Sequence, residues 1–140
     1  MPILKKIDIL LLNQEEASLL TGISYQKEKQ IFKKLDELVP EIAIMTKGDR
    51  GAVVSGGNCL YRAGAPKVKV AEKTGAGDAF GSGFLASYIK NQNIEQALQL
   101  GIANSTSCIQ KIGAKNGLLK KDQSFKKARV LKTKTWCLDV

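Results

Sequence analysis

KTGAGDAFGSGF, residues 73–84, sets glycines at positions 75 and 77 immediately before Asp78 and then runs into an apolar, helix-patterned segment. Glycine and aspartate are poor residues for a helix interior, so crowding them at a helix start needs a reason. Three readings compete: a loop that cradles phosphate, a dinucleotide fingerprint, and an ordinary tight turn. A Walker A loop requires a Lys-Ser or Lys-Thr pair after its last glycine, and no such pair follows Gly75 or Gly83. The spacing Gly81-x-Gly83-x-x-Ala86 matches the dinucleotide fingerprint formally, but it sits inside the helical pattern and not directly after a strand. Gly81, Gly83 and Ala86 are therefore read as small residues that let another element approach. The phosphate reading of Gly75-Ala76-Gly77-Asp78 rests on physics: glycines clear side chains away, and successive N–H groups at a helix N-terminus attract an anion. A carboxylate beside that anion is unfavourable unless it has a task, such as taking the proton from an attacking hydroxyl. Asp is also a common helix cap, so the plain turn stays open.

Working outward, residues 7–12 (IDILLL) read as a strand buried on both faces. Asn13 then caps a helix over 14–20, with Glu15 and Glu16 in its first turn and Gly22 just past its end. A second helix is expected over 24–38, closed by Pro40, and 42–46 (IAIMT) is the next buried strand, which together make a parallel crossover unit. After KGDRG, residues 52–55 and 59–62 flank Gly56-Gly57-Asn58, the pattern of an antiparallel hairpin. Residues 68–70 (VKV) add one short extended piece. Beyond the glycine-rich stretch, residues 78–90 carry Phe80, Phe84, Leu85, Tyr88 and Ile89 on a helical stripe. Residues 94–112 form a further helix with Ala97, Leu98, Gly101, Ile102, Ser105, Cys108 and Ile109 inward, ended by Gly113.

The chain has 140 residues, enough for one domain with a real core. Its formal charge of +9 is concentrated at the end. From Lys111 onward nine basic residues face only Asp122 and Asp139, while residues 1–110 are nearly neutral. Only Phe125 and Trp136 interleave that basic tail, so a solvated basic helix is preferred there over a nucleic-acid surface. Three widely spaced cysteines, Cys59, Cys108 and Cys137, suit neither a disulfide framework nor a zinc site and point to reduced thiols in the cytoplasm. The N-terminal apolar run includes Asp8 and matches neither a signal peptide nor a membrane span. Histidine is absent, which removes Ser-His-Asp, Cys-His and His-ligated metal chemistry together.

Residues 74–84, TGAGDAFGSGF, resemble the C-terminal signature of the ribokinase/PfkB family of carbohydrate kinases. Two more stretches follow the family's order: Asn13-Gln14-Glu15-Glu16 resembles its N-x-x-E motif, and Thr46-Lys47-Gly48-Asp49-Arg50-Gly51 its T-x-G-x-x-G nucleotide loop. Ala103-Asn104 resembles the element beside the adenine. The match covers residues 7–117 and leaves 118–140 as a basic tail. It implies a ribokinase-like, Rossmann-type α/β sandwich, its sheet mostly parallel and flanked by helices, with an antiparallel hairpin.

The resemblance also implies ATP-dependent phosphoryl transfer to a hydroxyl of a sugar or nucleoside. Asp78 would be the general base and Gly75, Ala76 and Gly77 the anion hole. Asn13 and Glu16 would organise Mg²⁺ through water. Thr46, Gly48 and Gly51 would line the ATP site, with Asn104 near the base. The resemblance leaves a monovalent cation open as a further cofactor, since the family's Asp-Thr pair before this run is Glu72-Lys73 here. Family members are roughly twice this length, within the usual domain range. The absent N-terminal half would hold the sugar-binding residues, part of the sheet and a small β lid. A strand edge would then be left for a separate N-terminal-half chain or a homo-oligomer to cover. The alternative is a non-catalytic nucleotide-binding remnant.

Overall fold

The apolar runs 9–12 and 42–45 become neighbouring parallel strands because two helices return the chain between them. The computed structural model describes residues 2–112, 117–120 and 123–134. A 3-10 turn over Pro2–Lys6 leads into β1 (Ile9–Asn13), α1 (Gln14–Thr21), α2 (Glu28–Leu38) and β2 (Ile42–Thr46). A second 3-10 turn, Gly48–Arg50, precedes β3 (Ala52–Gly56) and β4 (Cys59–Ala63). Then come α3 (Ala76–Asn91), α4 (Ile94–Ile109) and β5 (Val130–Lys134). The strands form one sheet in the order β1-β2-β3-β4-β5. β1 and β2 are parallel, with Ile9 opposite Ile42 and Asn13 opposite Thr46, whereas β2 and β3 are antiparallel. The expected crossover and hairpin are thus both present, in a mixed sheet.

The chain divides into two compact units: Met1–Gly48, Ala52–Arg62 and Leu131–Val140, and Asp49–Gly51 with Ala63–Val130. In the first, Ala17, Ile31, Phe32, Leu35, Ala43, Met45, Val53 and Leu60 form the core, and Leu10 and Leu12 pack against it. Ile31, Phe32 and Leu35 recur at helical spacing, so α2 presents one apolar face. Gly22 caps α1 at φ 73 as its position suggested, and positive φ at Gly57 and Asn58 turns β3 into β4 as a hairpin. Lys132 lies 5.4 Å from the ring centre of Tyr61, a cation–π contact between β5 and β4.

In the second unit α3 and α4 pack antiparallel, since Ala79 meets Asn104 while Gly83 meets Leu100. A Cβ on Gly83 would lie 3.0 Å from the Leu100 carbonyl oxygen, and one on Gly101 3.0 Å from the Phe80 ring. The formal dinucleotide spacing is therefore helix packing. The rings of Phe80, Phe84 and Tyr88 stack in turn at centroid separations of 6.2 and 6.0 Å. Phe84→Ala removes the largest fully buried side chain of this unit; the expected loss is about 3–5 kcal/mol, read by urea denaturation.

Several expectations change. β1 begins at Ile9 and is half-exposed, not buried on both faces, because it stands at the end of the strand order. α2 starts at Glu28, since residues 24–27 close a turn in which the Lys27 N–H donates to the Ser24 carbonyl. Residues 68–70 are not a strand. The α3 stripe divides: Phe80 and Phe84 are buried, but Leu85 and Ile89 are exposed because Ala79, Gly83 and Ser87 take the inner face instead. α4 ends at Ile109, and Gly113 lies outside the described residues. The basic tail is not helical where described; residues 130–134 join the sheet. Among the described residues no helix is long and apolar enough to cross a membrane.

Candidate active site

In parallel α/β architecture, ligand-binding groups gather beyond the C-terminal ends of the strands. The β1–β2 register brings Asn13 and Thr46 side by side at that end. Asn13 caps α1: its Oδ1 accepts from the Glu16 N–H at 2.8 Å, and its Nδ2 donates to Glu16 Oε1 at 2.7 Å. This reciprocal bond holds an exposed amide and an exposed carboxylate together. Their oxygens are hard donors of the kind Mg²⁺ takes, often through its own waters. No cluster of three or more acidic, Cys or His groups exists among the described residues, so the pair fits an outer-sphere role and not a closed metal cage.

Thr46 leads into Lys47 and Gly48, and Gly48 has φ +60 with nothing within 4 Å of a Cβ built on it. Lys47 Nζ reaches Glu28 Oε2 at 3.2 Å, while Arg62 Nη1 reaches Glu28 Oε1 at 2.7 Å. Glu28, at the first turn of α2, therefore fixes the basic residue inside the Thr46–Gly48 turn. Sequence patterning gives no sign of this, since Glu28 reads as one more exposed helix residue.

The second unit holds the other candidates. Gly75 is the N-cap of α3 in the left-handed region at φ 84, a conformation for which glycine carries no Cβ penalty. Ala76, Gly77 and Asp78 form the first turn. The Ala76 N–H is used within the turn, donating to the Lys73 carbonyl at 3.2 Å. The N–H groups of Gly77 and Asp78 have no protein acceptor among the described residues, and both residues are exposed. The Asp78 carboxylate likewise makes no ion pair there. Free N–H groups at the positive end of a helix, next to a free carboxylate, can hold an anion and accept a proton beside it.

Asn104 is 7% exposed, and both ends of its amide are engaged. Its Nδ2 donates to the Ala79 carbonyl at 2.8 Å and its Oδ1 accepts from the Leu119 N–H at 2.8 Å. It thus ties the first turn of α3 to the segment after α4. Its neighbour Ala103 lines a cavity of about 730 Å³ together with Val68, Ile102 and Thr106. That volume falls in the range of small-molecule sites, and the mixed lining suits a planar, partly polar ring. Asn104→Ala leaves the part-buried Leu119 N–H without its acceptor, while the Ala79 carbonyl keeps the Ser82 hydroxyl at 3.3 Å. The expected cost is about 1–3 kcal/mol, and the midpoint of urea unfolding measures it.

A crossover-plus-hairpin sheet with an anion-turn helix after it is a ribokinase-like fold. The structure of Arabidopsis thaliana ribokinase complexed with ribose and ATP superposes with a TM-score of 0.76 at 27% identity, covering 83% of this chain and 39% of that one. The pfkB family carbohydrate kinase profile matches residues 1–121, and the chain belongs to that family. An uncharacterized sugar kinase of Archaeoglobus fulgidus is 34% identical over 83% of this chain and 45% of its own length. An ATP-dependent 6-phosphofructokinase of Thermoanaerobacterium thermosaccharolyticum is 36% identical over 80% of this chain and 34% of its own. The chain therefore spans less than half the length of these relatives.

Proposed function

We propose that this chain carries the nucleotide-binding and proton-abstracting part of an ATP-dependent kinase whose acceptor is a hydroxyl of a sugar or nucleoside. The Gly75–Asp78 turn carries this reading, because it presents unused N–H groups and an unused carboxylate at one helix start in a pfkB-family chain. Asp78 accepts the proton of the attacking hydroxyl. Gly75, Ala76 and Gly77 shape the anion hole, with the free N–H groups of Gly77 and Asp78 facing the transferring charge. ATP supplies the phosphoryl group when bound, and Mg²⁺ supplies countercharge on its phosphates.

Asn13 and Glu16 orient waters on the metal, Thr46 and Gly48 line the polyphosphate, and Gly51 sets the turn that follows. Ala103 borders the cavity for the base, and Asn104 acts by holding α3 against the segment that carries Leu119. The acceptor pocket and lid belong to sequence that the relatives have beyond the span matched here. The half-exposed edge of β1 is where a strand of such a complementary half would pair. Cys59 and Cys108, neither in a disulfide among the described residues, suit a reducing compartment, the cytoplasm.

Titration calorimetry with ATP·Mg²⁺, followed by phosphorylation assays on a panel of sugars and nucleosides, tests the proposal. Binding with transfer is expected once the acceptor half is supplied. Binding that never leads to transfer supports a non-catalytic nucleotide-binding remnant, and no binding at all removes the nucleotide reading.

A further inference from the structure

The basic segment near the C-terminus has no part in the site described so far, yet it forms a wall of the cavity beside Ala103. Phe125, Lys126, Lys127 and Arg129 all line it. The segment is held on α4 by directed bonds. Gln99 Nε2 donates to the Ala128 carbonyl at 3.0 Å, Asn104 Oδ1 accepts from the Leu119 N–H at 2.8 Å, and the Ser107 hydroxyl donates to the Gly117 carbonyl. The cations therefore sit on an anchored wall and not on a free tail.

Among the described residues, the cavity lining contains three cations and no carboxylate. Among the described residues, no ion pair engages Lys126, Lys127 or Arg129. An apolar floor with an unopposed cationic rim fits a ligand that joins a flat ring to an anionic group. A neutral nucleoside would leave the rim unused.

Resting on the nucleotide reading above, we infer that Lys126, Lys127 and Arg129 form a cationic rim that selects a nucleoside polyphosphate over the uncharged nucleoside at this cavity. The basic excess of the chain then has a local purpose: it raises affinity with each added phosphate and makes that increment sensitive to salt.

The test compares binding of adenosine, AMP, ADP and ATP to the full chain and to the triple variant Lys126→Ala/Lys127→Ala/Arg129→Ala, by calorimetry at low and moderate salt. In the wild type, affinity should rise with phosphate number and fall with salt. The triple variant should lose about tenfold in ATP affinity, as expected for three exposed cations, and keep its adenosine affinity, which also shows that the cavity is intact. ATP binding equal to wild type in the variant overturns the rim while leaving the nucleotide reading standing. Equal loss for adenosine and ATP overturns it as well, because the segment then acts by packing alone. A wild-type chain that binds none of the four overturns both readings.

Discussion

Asp78→Asn is expected to lower phosphorylation turnover by about 10²–10⁴-fold, the usual contribution of a positioned general base. Nucleotide affinity should stay close to that of the wild type. The substitution keeps the shape of the side chain and removes its ability to accept a full proton. Because Asp78 is exposed and without a partner among the described residues, stability should change by no more than about 0.5 kcal/mol. A fall in kcat without a matching rise in the Kd for ATP separates proton abstraction from binding. Unchanged turnover, measured with the acceptor half present, would sink the assignment of the base. A comparable loss of stability would instead show that Asp78 serves chiefly to start α3.

The second large effect concerns folding. Gly51→Ala places a Cβ 1.9 Å from the Ala63 carbonyl oxygen and 2.7 Å from the Gly64 Cα, at a backbone φ of +89. Backbone strain and the forced displacement each cost on the order of 1–3 kcal/mol. Together, about 2–6 kcal/mol is a large share of the stability of a typical domain. Gly48→Ala is the matched control: its φ of +60 carries the left-handed penalty, but nothing lies within 4 Å of the added carbon. It should cost about 1–2 kcal/mol. Equal losses for the two, by urea denaturation, would show that the contact with Ala63 and Gly64 contributes nothing. The two glycines share one loop motif in the sequence, and only their surroundings tell them apart.

Much of the fold was legible because local signals agreed. Asn13 before Gln14 and Gly22 after Thr21 mark the ends of α1 by chemistry confined to a few residues, and both caps form. The alternation of apolar strands with helix-patterned runs gave the crossover, and Gly57-Asn58 gave the hairpin. The half-exposure of β1 was not legible, because an apolar run does not say whether a second strand covers its outer edge. The exposure of Leu85 and Ile89 has a related reason. Helical spacing says that residues share a face, but which face turns inward depends on the small residues Ala79, Gly83 and Ser87 meeting α4.

The candidate site divides along the same line. Gly75, Gly77 and Asp78 could be picked out by residue type alone, since backbone exposure at a helix start follows from glycine and from the end of the hydrogen-bond ladder. That the Ala76 N–H bonds to Lys73 while those of Gly77 and Asp78 remain free is decided by the fold of the turn. The tie from Glu28 to Lys47 and the double engagement of Asn104 are likewise decided by the fold, because both join residues far apart in the chain.

By itself, the sequence narrowed the chemistry open to this chain. Lacking histidine, it offers only Asp, Glu, Lys, Tyr or a thiolate as a base, and its glycine-rich turn sets the Asp78 carboxylate at the start of a helix. What only the tertiary structure decided is where the basic segment goes. Charge is countable along a chain, but its purpose depends on the surface it lies against. Here the segment packs on α4 and brings its cations to the rim of the cavity beside Ala103, a contact between residues too far apart in sequence for any local pattern to record.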